Sequence, residues 1–272
     1  MIETFEEIQN KLQLDILEQT HLLAYRGSIS HNMYVPNTNP NSIDDIDLMG
    51  FVIPDKSFYF GLNNYENNLS YGDKINRKGT KEYFINEYDM VFYEMSKTIY
   101  LLVKGNPNVL SLLWLKPEHY IKITEWGGLL LKNRELFTNK KSFHKAISGY
   151  ATGQLKKMSS RNPQGYMGEK RKKLVEKFGY DTKNASHLIR LLIMGAEYLD
   201  TGVLNVYRTD DVEFLLDIKK GIFTLDQILG WSNDYFSLLQ LSYENSKLPE
   251  KLDIKKINQL SVDIIEGSLY DS

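Results

Sequence analysis

Cysteine is absent from this 272-residue sequence, and proline and tryptophan are scarce, with seven and three residues. Without cysteine the chain has no disulfides and no thiolate metal sites, which fits a cytoplasmic protein. No run approaches the roughly 18 consecutive apolar residues that a membrane-spanning helix needs. The first residues are acidic and helix-patterned, so we expect no secretory signal. The sequence therefore predicts a globular, cytoplasmic protein without a membrane partner.

Several catalytic motifs are also missing. The sequence contains no nucleophilic triad, no P-loop and no dinucleotide-binding fingerprint, and its five histidines are too scattered for a zinc motif. The net charge of -2 gives no overall attraction to nucleic acid. Nine lysines and arginines are nevertheless concentrated between Lys156 and Lys183. This basic segment predicts either a phosphate-binding surface or an ordinary solvated helix face.

The pattern of apolar residues changes along the chain. Residues 4–24 have helical spacing, residues 48–54 are apolar over the length of a strand, and residues 82–94 read as a second strand that passes into a helix over 95–104. Residues 55–80, rich in Gly and Asn, predict turns with a short hairpin. After about residue 125 helical periods dominate, at 127–135, 142–158, 168–178, 183–200, 210–219, 224–244 and 254–266. These patterns predict an N-terminal α/β domain (1–125) and a helical domain (126–272).

The most informative residues are Asp45 and Asp47, which precede the first predicted strand. Residues two apart in a strand point to the same face, so both carboxylates are expected side by side. Such a pair can bind two Mg²⁺ ions, which prefer hard oxygen ligands and share their coordination with substrate phosphates. An isolated Asp-x-Asp is common in turns and helix caps, so it is a weak signal by itself.

Two further features strengthen the signal of the acidic pair. Gly27 lets the backbone approach a triphosphate closely, and the Ser28 hydroxyl can bind phosphate oxygens. Asp89 is a charged residue within an otherwise apolar strand, where burial is unfavourable without a cation or a partner. We therefore predict Asp89 as a third metal-binding carboxylate, with Glu87 as the alternative. Asp89 could instead simply begin the strand at its solvated end.

At these residues the chain resembles the DNA polymerase β-like nucleotidyltransferase superfamily, whose hallmark is Gly-Ser, a spacer, Asp-x-Asp and a later strand carboxylate. More narrowly, it is similar to predicted nucleotidyltransferases that are associated with RNA ligases. The similarity extends from about residue 20 to 250 and includes segments 93–95, 104–110, 183–192 and 201–204. It implies a catalytic domain with a mixed sheet flanked by helices, followed by a helical substrate-binding domain. It also implies that Gly27 and Ser28 bind phosphate and that Asp45, Asp47 and Asp89 bind metal.

The chain departs from the pattern of that group at three points. Asn32 stands where a glycine is usual after Gly-Ser, although asparagine also tolerates a left-handed backbone. Met49 replaces a frequent arginine, and the spacer between Ser28 and Asp45 is long. These departures bear on substrate specificity more than on metal binding.

Lys183, His187 and Arg190 lie on one face of a predicted helix. They predict a nucleotide-binding surface in which Arg190 contacts phosphate, and His31 could also reach a bound nucleotide. The alternative is that His187 is a core residue and Arg190 pairs with a surface acid.

Together these features predict a metal-dependent nucleotidyltransferase that transfers an NMP from an NTP to an acceptor hydroxyl and releases pyrophosphate. The expected cofactor is Mg²⁺, as two ions, with Mn²⁺ as a substitute. An RNA end is the favoured acceptor, and a protein or a small molecule is the alternative. A catalytically silent nucleotide- or RNA-binding protein and a metal-dependent phosphohydrolase are the competing classes. The sequence leaves the oligomeric state open.

Overall fold

The computed structural model describes residues 3–36, 44–61, 80–85, 87–159 and 169–271. The fold is mixed α+β, as the sequence predicts. The strands are β1 (Thr20–Tyr25), β2 (Ile46–Val52), β3 (Thr80–Ile85), β4 (Tyr88–Glu94) and β5 (Tyr120–Ile123). The helices are α1 (Phe5–Leu12), α2 (Gly27–Ser30), α3 (Lys56–Phe60), α4 (Met95–Val103), α5 (Pro107–Ser111), α6 (Glu125–Lys132), α7 (Lys140–Ser159), α8 (Glu169–Phe178), α9 (Thr182–Thr201), α10 (Val212–Lys220), α11 (Leu225–Asn245) and α12 (Ile254–Asp271).

The five strands form one mixed sheet in the order β3-β4-β2-β1-β5. The central pair, β2 and β4, is parallel, and each of the other neighbouring pairs is antiparallel. Parallel strands need a connection that crosses over the sheet. The N-terminal ends of β2 and β4 therefore lie at the same edge of the sheet. Asp47 and Asp89 are located near these ends.

Both faces of the sheet are covered by apolar packing. On β1, Leu22 and Ala24 contribute to the large core shared with the helices after β4. The alternate residues Leu23 and Tyr25 pack on the other face, in a smaller core that includes Ile8 of α1. The central strands are thus fixed from both sides, which holds their polar ends in place.

The prediction of a helix over residues 4–24 is wrong beyond Leu12. A capping box at Thr4 begins α1, and Gln13 ends it with a left-handed backbone at φ 48°. The following residues form a short 3₁₀ turn and then β1. Because β1 is buried on both faces, its apolar residues do not alternate with polar ones, and the sequence pattern does not distinguish it from a helix.

The predicted strand over 82–94 is two strands. The antiparallel register joins Ile85 to Tyr88, so the chain reverses between β3 and β4. Glu87 lies in this turn and is exposed, whereas Asp89 is within β4. The segment predicted as turns contains α3 and the start of β3, and residues 62–79 lie outside the described part of the chain. β5 is a strand that the sequence patterns did not predict.

All seven helices predicted after residue 125 are present, with bounds that differ by a few residues. The longest of them, α7, α9 and α11, pack against one another, and α12 returns to contact α4 and α6. The division at residue 125 into catalytic and helical domains stays a prediction. Within the described residues, no helix combines the length and apolar character needed to cross a membrane.

Candidate active site

Two of the predicted carboxylates lie side by side in the middle of the sheet. The parallel register pairs Asp47 of β2 with Asp89 of β4. Asp45 immediately precedes β2 and lies close enough to raise the pKa of Asp47. In the described part of the chain, no three histidine, aspartate or glutamate side chains are grouped with the geometry of a metal site. The structure therefore brings together an acidic pair, with Asp45 beside it.

Arg26 connects the two paired carboxylates. Its Nη2 lies 3.4 Å from Asp47 Oδ1 and 3.4 Å from Asp89 Oδ2. The backbone holds this side chain in place, since Arg26 N donates to the Asp47 carbonyl at 2.9 Å and Arg26 Nε to the Leu48 carbonyl at 3.3 Å. The sequence analysis did not identify Arg26 as a site residue. Recognising β1 as a strand would have placed Arg26 at its end, opposite Asp47.

Burial makes Asp47 an unusually weak acid. The pKa of this carboxyl is raised to about 6, chiefly by loss of solvation and in smaller part by the charges of Asp89 and Asp45. The positive charges of Arg26 and Lys183 act in the opposite direction. Desolvation exceeds the attraction to the two cations, so the ionised carboxylate has an affinity for additional positive charge. This is the electrostatic property expected of a cation-binding carboxylate.

The predicted Gly-Ser turn contacts this acidic pair directly. Gly27 begins α2 with a left-handed φ of 62°, and a Cβ at this position would lie only 2.1 Å from Asp47 Oδ2. Glycine is therefore required by both conformation and space. The adjacent Ser28 hydroxyl is buried and has no hydrogen-bond partner among the described residues. Asn32 adopts a left-handed φ of 61°, so it provides the backbone conformation expected of the glycine that it replaces.

Helix α9 contributes Lys183 to the same region. Lys183 Nζ lies 3.6 Å from Oδ1 of Asp44, a fully buried carboxylate just before β2. The positive charge of Lys183 lowers the pKa of Asp47. Asp44 also accepts a hydrogen bond from Val35 N at 2.9 Å and forms an ion pair with Lys219 of α10. Two helical cations thus reach the start of β2. Neither Asp44 nor Lys219 was identified from the sequence, because a single buried ion pair has no local pattern.

Arg190 and His187 surround His31, three residues after Ser28. The Nδ1 of His31 lies 2.9 Å from the Val206 carbonyl oxygen. Because a carbonyl oxygen only accepts hydrogen bonds, we assign the ring proton of His31 to Nδ1. Arg190 Nη1 then lies against this nitrogen at 3.3 Å and donates to Met194 Sδ at 3.0 Å. Burial lowers the pKa of Arg190 to about 9 and lowers that of His31 well below its ordinary value.

The alternative, in which Arg190 pairs with a surface acid, is wrong for the described residues. Arg190 is only 7% exposed, and no carboxylate of the described residues lies within ion-pair distance of it. His187 is close enough to lower the pKa of His31. His187 and Arg190 are therefore close to His31, whereas Lys183 contacts Asp44 at the start of β2.

Comparison with protein families decides the relationship suggested by these residues. Residues 38–263 match the RNA repair pathway DNA polymerase beta family. The chain belongs to this family. Asp45, Asp47, Asp89 and Lys183 lie within the matched range, whereas Gly27 precedes it. The comparison with curated proteins gives no match.

Membership of the RNA repair pathway DNA polymerase beta family also supports the predicted link with RNA. The predicted basic segment from Lys156 to Lys183 lies partly outside the described residues, which end at 159 and resume at 169. Its described part includes the end of α7, all of α8 and the start of α9. Within that part, Lys183 contacts Asp44 and acts electrostatically on Asp47.

Proposed function

We propose that this protein transfers an NMP from an NTP to a hydroxyl group at an RNA end. The observation that carries the proposal is the contact between the Gly27–Ser28 turn and an acidic pair: Gly27 lies against Asp47, which is in register with Asp89. Family membership supports the reaction class and the role in RNA repair. The acceptor oxygen forms a bond with the α-phosphorus, the bond to the β-phosphate bridging oxygen breaks, and pyrophosphate leaves.

The residues at this site fit Mg²⁺. Asp45, Asp47 and Asp89 offer hard carboxylate oxygens, and the desolvated Asp47 gains from an added cation. When bound, Mg²⁺ supplies positive charge that neutralises the triphosphate and makes the acceptor hydroxyl more acidic. Mn²⁺ has similar ligand preferences and is expected to substitute. Arg26 shares the same carboxylates, so it competes with the metal for Asp47 and Asp89.

The protein groups around the carboxylates position the reactants. Asp89, whose side chain is 46% exposed, can accept the proton of the acceptor hydroxyl. The buried Ser28 hydroxyl can donate to a phosphate oxygen, and Lys183 provides a positive charge on the helical side. Arg26 offers a planar set of donors beside the acidic pair, suited to a phosphate that displaces one of its carboxylate contacts. The catalytic contribution is chiefly orientation and electrostatic stabilisation.

Label transfer tests this proposal. Wild-type protein is incubated with Mg²⁺ and each α-labelled NTP, with and without RNA, beside Asp47→Asn and Asp89→Asn. Asp234→Asn, an exposed position on α11, is the matched control. We expect labelled RNA from the wild type and the control, and a loss of at least about 100-fold in the two site variants, consistent with removal of metal and charge stabilisation.

Each other product has a defined meaning. If label appears on protein or on a small molecule while RNA is present, that molecule is the acceptor and RNA is not. Free nucleotide without transfer would favour a phosphohydrolase. Metal-dependent nucleotide binding without any product would indicate a catalytically silent binding protein, and no nucleotide binding at all would refute the proposal.

A further inference from the structure

A lysine-lined groove of about 720 Å³ lies outside the acidic site, between α7 and the end of α4. Gly105, which follows α4, has a left-handed φ of 66°, and a Cβ there would lie 2.8 Å from Phe143 N in α7. This close approach places Lys104 across the groove from Lys141 and Lys145. Two positively charged walls therefore face one space.

The α7 wall has a regular composition. Lys141, Lys145, Gly149, Gly153 and Lys157 recur at four-residue spacing, so each neighbours the next on the helix surface, and together they form a ridge that winds around α7 over about 24 Å. A Cβ built at either glycine meets nothing within 4 Å. Glycine is unfavourable inside a helix, and no packing contact requires it at these two positions. The two glycines therefore leave open space along the groove between Lys145 and Lys157.

The positive charge of the groove is not neutralised locally. Lys104, Lys141, Lys145 and Lys157 are exposed and form no ion pair with any described carboxylate. Among the described residues that line the groove there is no aspartate or glutamate. A concave surface with several uncompensated cations and no acidic residue attracts a polyanion.

Other groups in the groove suit a nucleic acid strand. Gln154 is buried, and its Oε1 has no hydrogen-bond partner in the described part of the chain. At the rim, the ring of Tyr100 is 53% exposed, and the Nζ atoms of Lys97 and Lys104 lie 5.3 and 5.5 Å from its centroid. An exposed aromatic ring between two lysines can stack on a base while the lysines bind the adjoining phosphates.

Tyr93 connects the groove with the acidic pair. It lies four residues after Asp89 on β4, on the same face of the strand. Burial raises the pKa of Tyr93, the charge of Arg26 opposes this shift, and Tyr150 adds to it. Arg26 belongs to the acidic site, and Tyr150 lines the groove, where its hydroxyl accepts a hydrogen bond from Asn106 Nδ2 at 2.9 Å. Tyr93 therefore interacts electrostatically with one residue of each site and lies about 13 Å along β4 from Asp89.

We propose that this groove binds single-stranded RNA and directs its end toward Asp47 and Asp89. The proposal rests on the function proposed above and assigns the surface that binds its acceptor. The phosphates lie along Lys104, Lys141 and Lys145, and the glycines of α7 leave room for the chain of sugars. The charge of the groove requires a polyanion, and membership of an RNA repair family favours RNA over DNA.

Binding of a fluorescent single-stranded RNA, measured by anisotropy without NTP or metal, tests the groove. The first variant, Lys141→Gln/Lys145→Gln, removes two phosphate contacts. Each contact to a single strand contributes about 0.7 to the salt dependence, so we expect the slope of log K against log [salt] to fall by about 1.4. The corresponding loss of affinity at 0.1 M salt is roughly 20-fold. Lys255→Gln/Lys256→Gln, two exposed positions of α12 that do not line the groove, is the charge-matched control and should bind as wild type.

A second variant tests the shape of the groove. Gly149→Leu/Gly153→Leu fills this open space with residues that favour a helix, so its thermal stability should be at least that of wild type. We expect RNA binding to weaken at least about tenfold while the melting temperature is maintained. Wild-type affinity in both groove variants would overturn the proposal, and so would equally tight binding of single-stranded DNA of the same sequence.

Parallel label-transfer assays separate this proposal from the function on which it rests. Transfer to RNA by wild type, with full activity in the groove variants, would overturn the groove and leave the proposed function intact. Groove-dependent RNA binding by a wild type that transfers no label would support the groove and overturn the proposed function.

Discussion

Replacing Asp47 by asparagine should stabilise the protein above pH 6 when divalent metal is absent. The folded state raises the pKa of this carboxyl from 3.8 to about 6, chiefly by burial. A carboxyl with a raised pKa contributes stability that is fully present below pH 3.8 and is lost as the pH rises through 6. Each pKa unit corresponds to about 1.4 kcal/mol, so the ionised side chain costs roughly 3 kcal/mol at neutral pH. Asparagine resembles the neutral acid and avoids this cost.

Urea unfolding of wild type and Asp47→Asn, with chelator present, measures the difference. We expect the variant to be more stable by about 3 kcal/mol at pH 7.5 and by less than about 1 kcal/mol at pH 4. The exposed Asp234→Asn should show no such pH-dependent difference. Adding Mg²⁺ should narrow the gap at pH 7.5, because the metal binds the carboxylate better than the amide. A variant that is less stable than wild type at pH 7.5, or a gap that does not vary with pH, would refute the reasoning.

Four further substitutions test individual contacts. Arg26→Ala removes a charge that lowers the pKa of Asp47, so the acidic limb of the pH–rate profile at limiting Mg²⁺ should move to higher pH. An unchanged acidic limb would contradict the interaction of Arg26 with Asp47. Gly27→Ala places a Cβ 2.1 Å from Asp47 Oδ2, and we expect at least a 100-fold loss of label transfer, with circular dichroism confirming the fold. Lys183→Met should raise the KM for NTP at least about tenfold, and an effect on kcat alone would exclude a binding role. Arg190→Met should raise the melting temperature without ligand, because an apolar side chain of similar length replaces a buried, desolvated cation. If Arg190 contacts phosphate, NTP should stabilise this variant less than it stabilises wild type.

The sequence was most informative where side-chain periodicity is unambiguous. The helices after residue 125 have apolar residues at helical spacing, and all seven were predicted. β2 was predicted because its apolar run follows an acidic pair, and Asp89 was placed correctly within a strand because charge is unusual there. The parallel register that pairs Asp47 with Asp89 could not be predicted, because it depends on the order of strands in the sheet.

Two kinds of structural feature could not be predicted from the sequence. β1 packs apolar residues on both faces, so its sequence lacks the alternation that identifies a strand, and the position of Arg26 was lost with it. The ion pair of Asp44 with Lys219 joins residues 175 positions apart. Long-range pairs of this kind are specified by tertiary packing, which no local pattern records.

The same separation affects how the protein is made. At about 5–20 residues per second, a ribosome needs roughly 9–35 seconds to synthesise the chain from Asp44 to Lys219. Throughout that interval Asp44 lacks Lys219, although Lys183, its other lysine partner, is synthesised earlier. This buried carboxylate therefore has both of its cations only after α10 has left the ribosome. Maturation of the acidic site is then a late event of biosynthesis, although every acidic residue in it belongs to the first third of the chain.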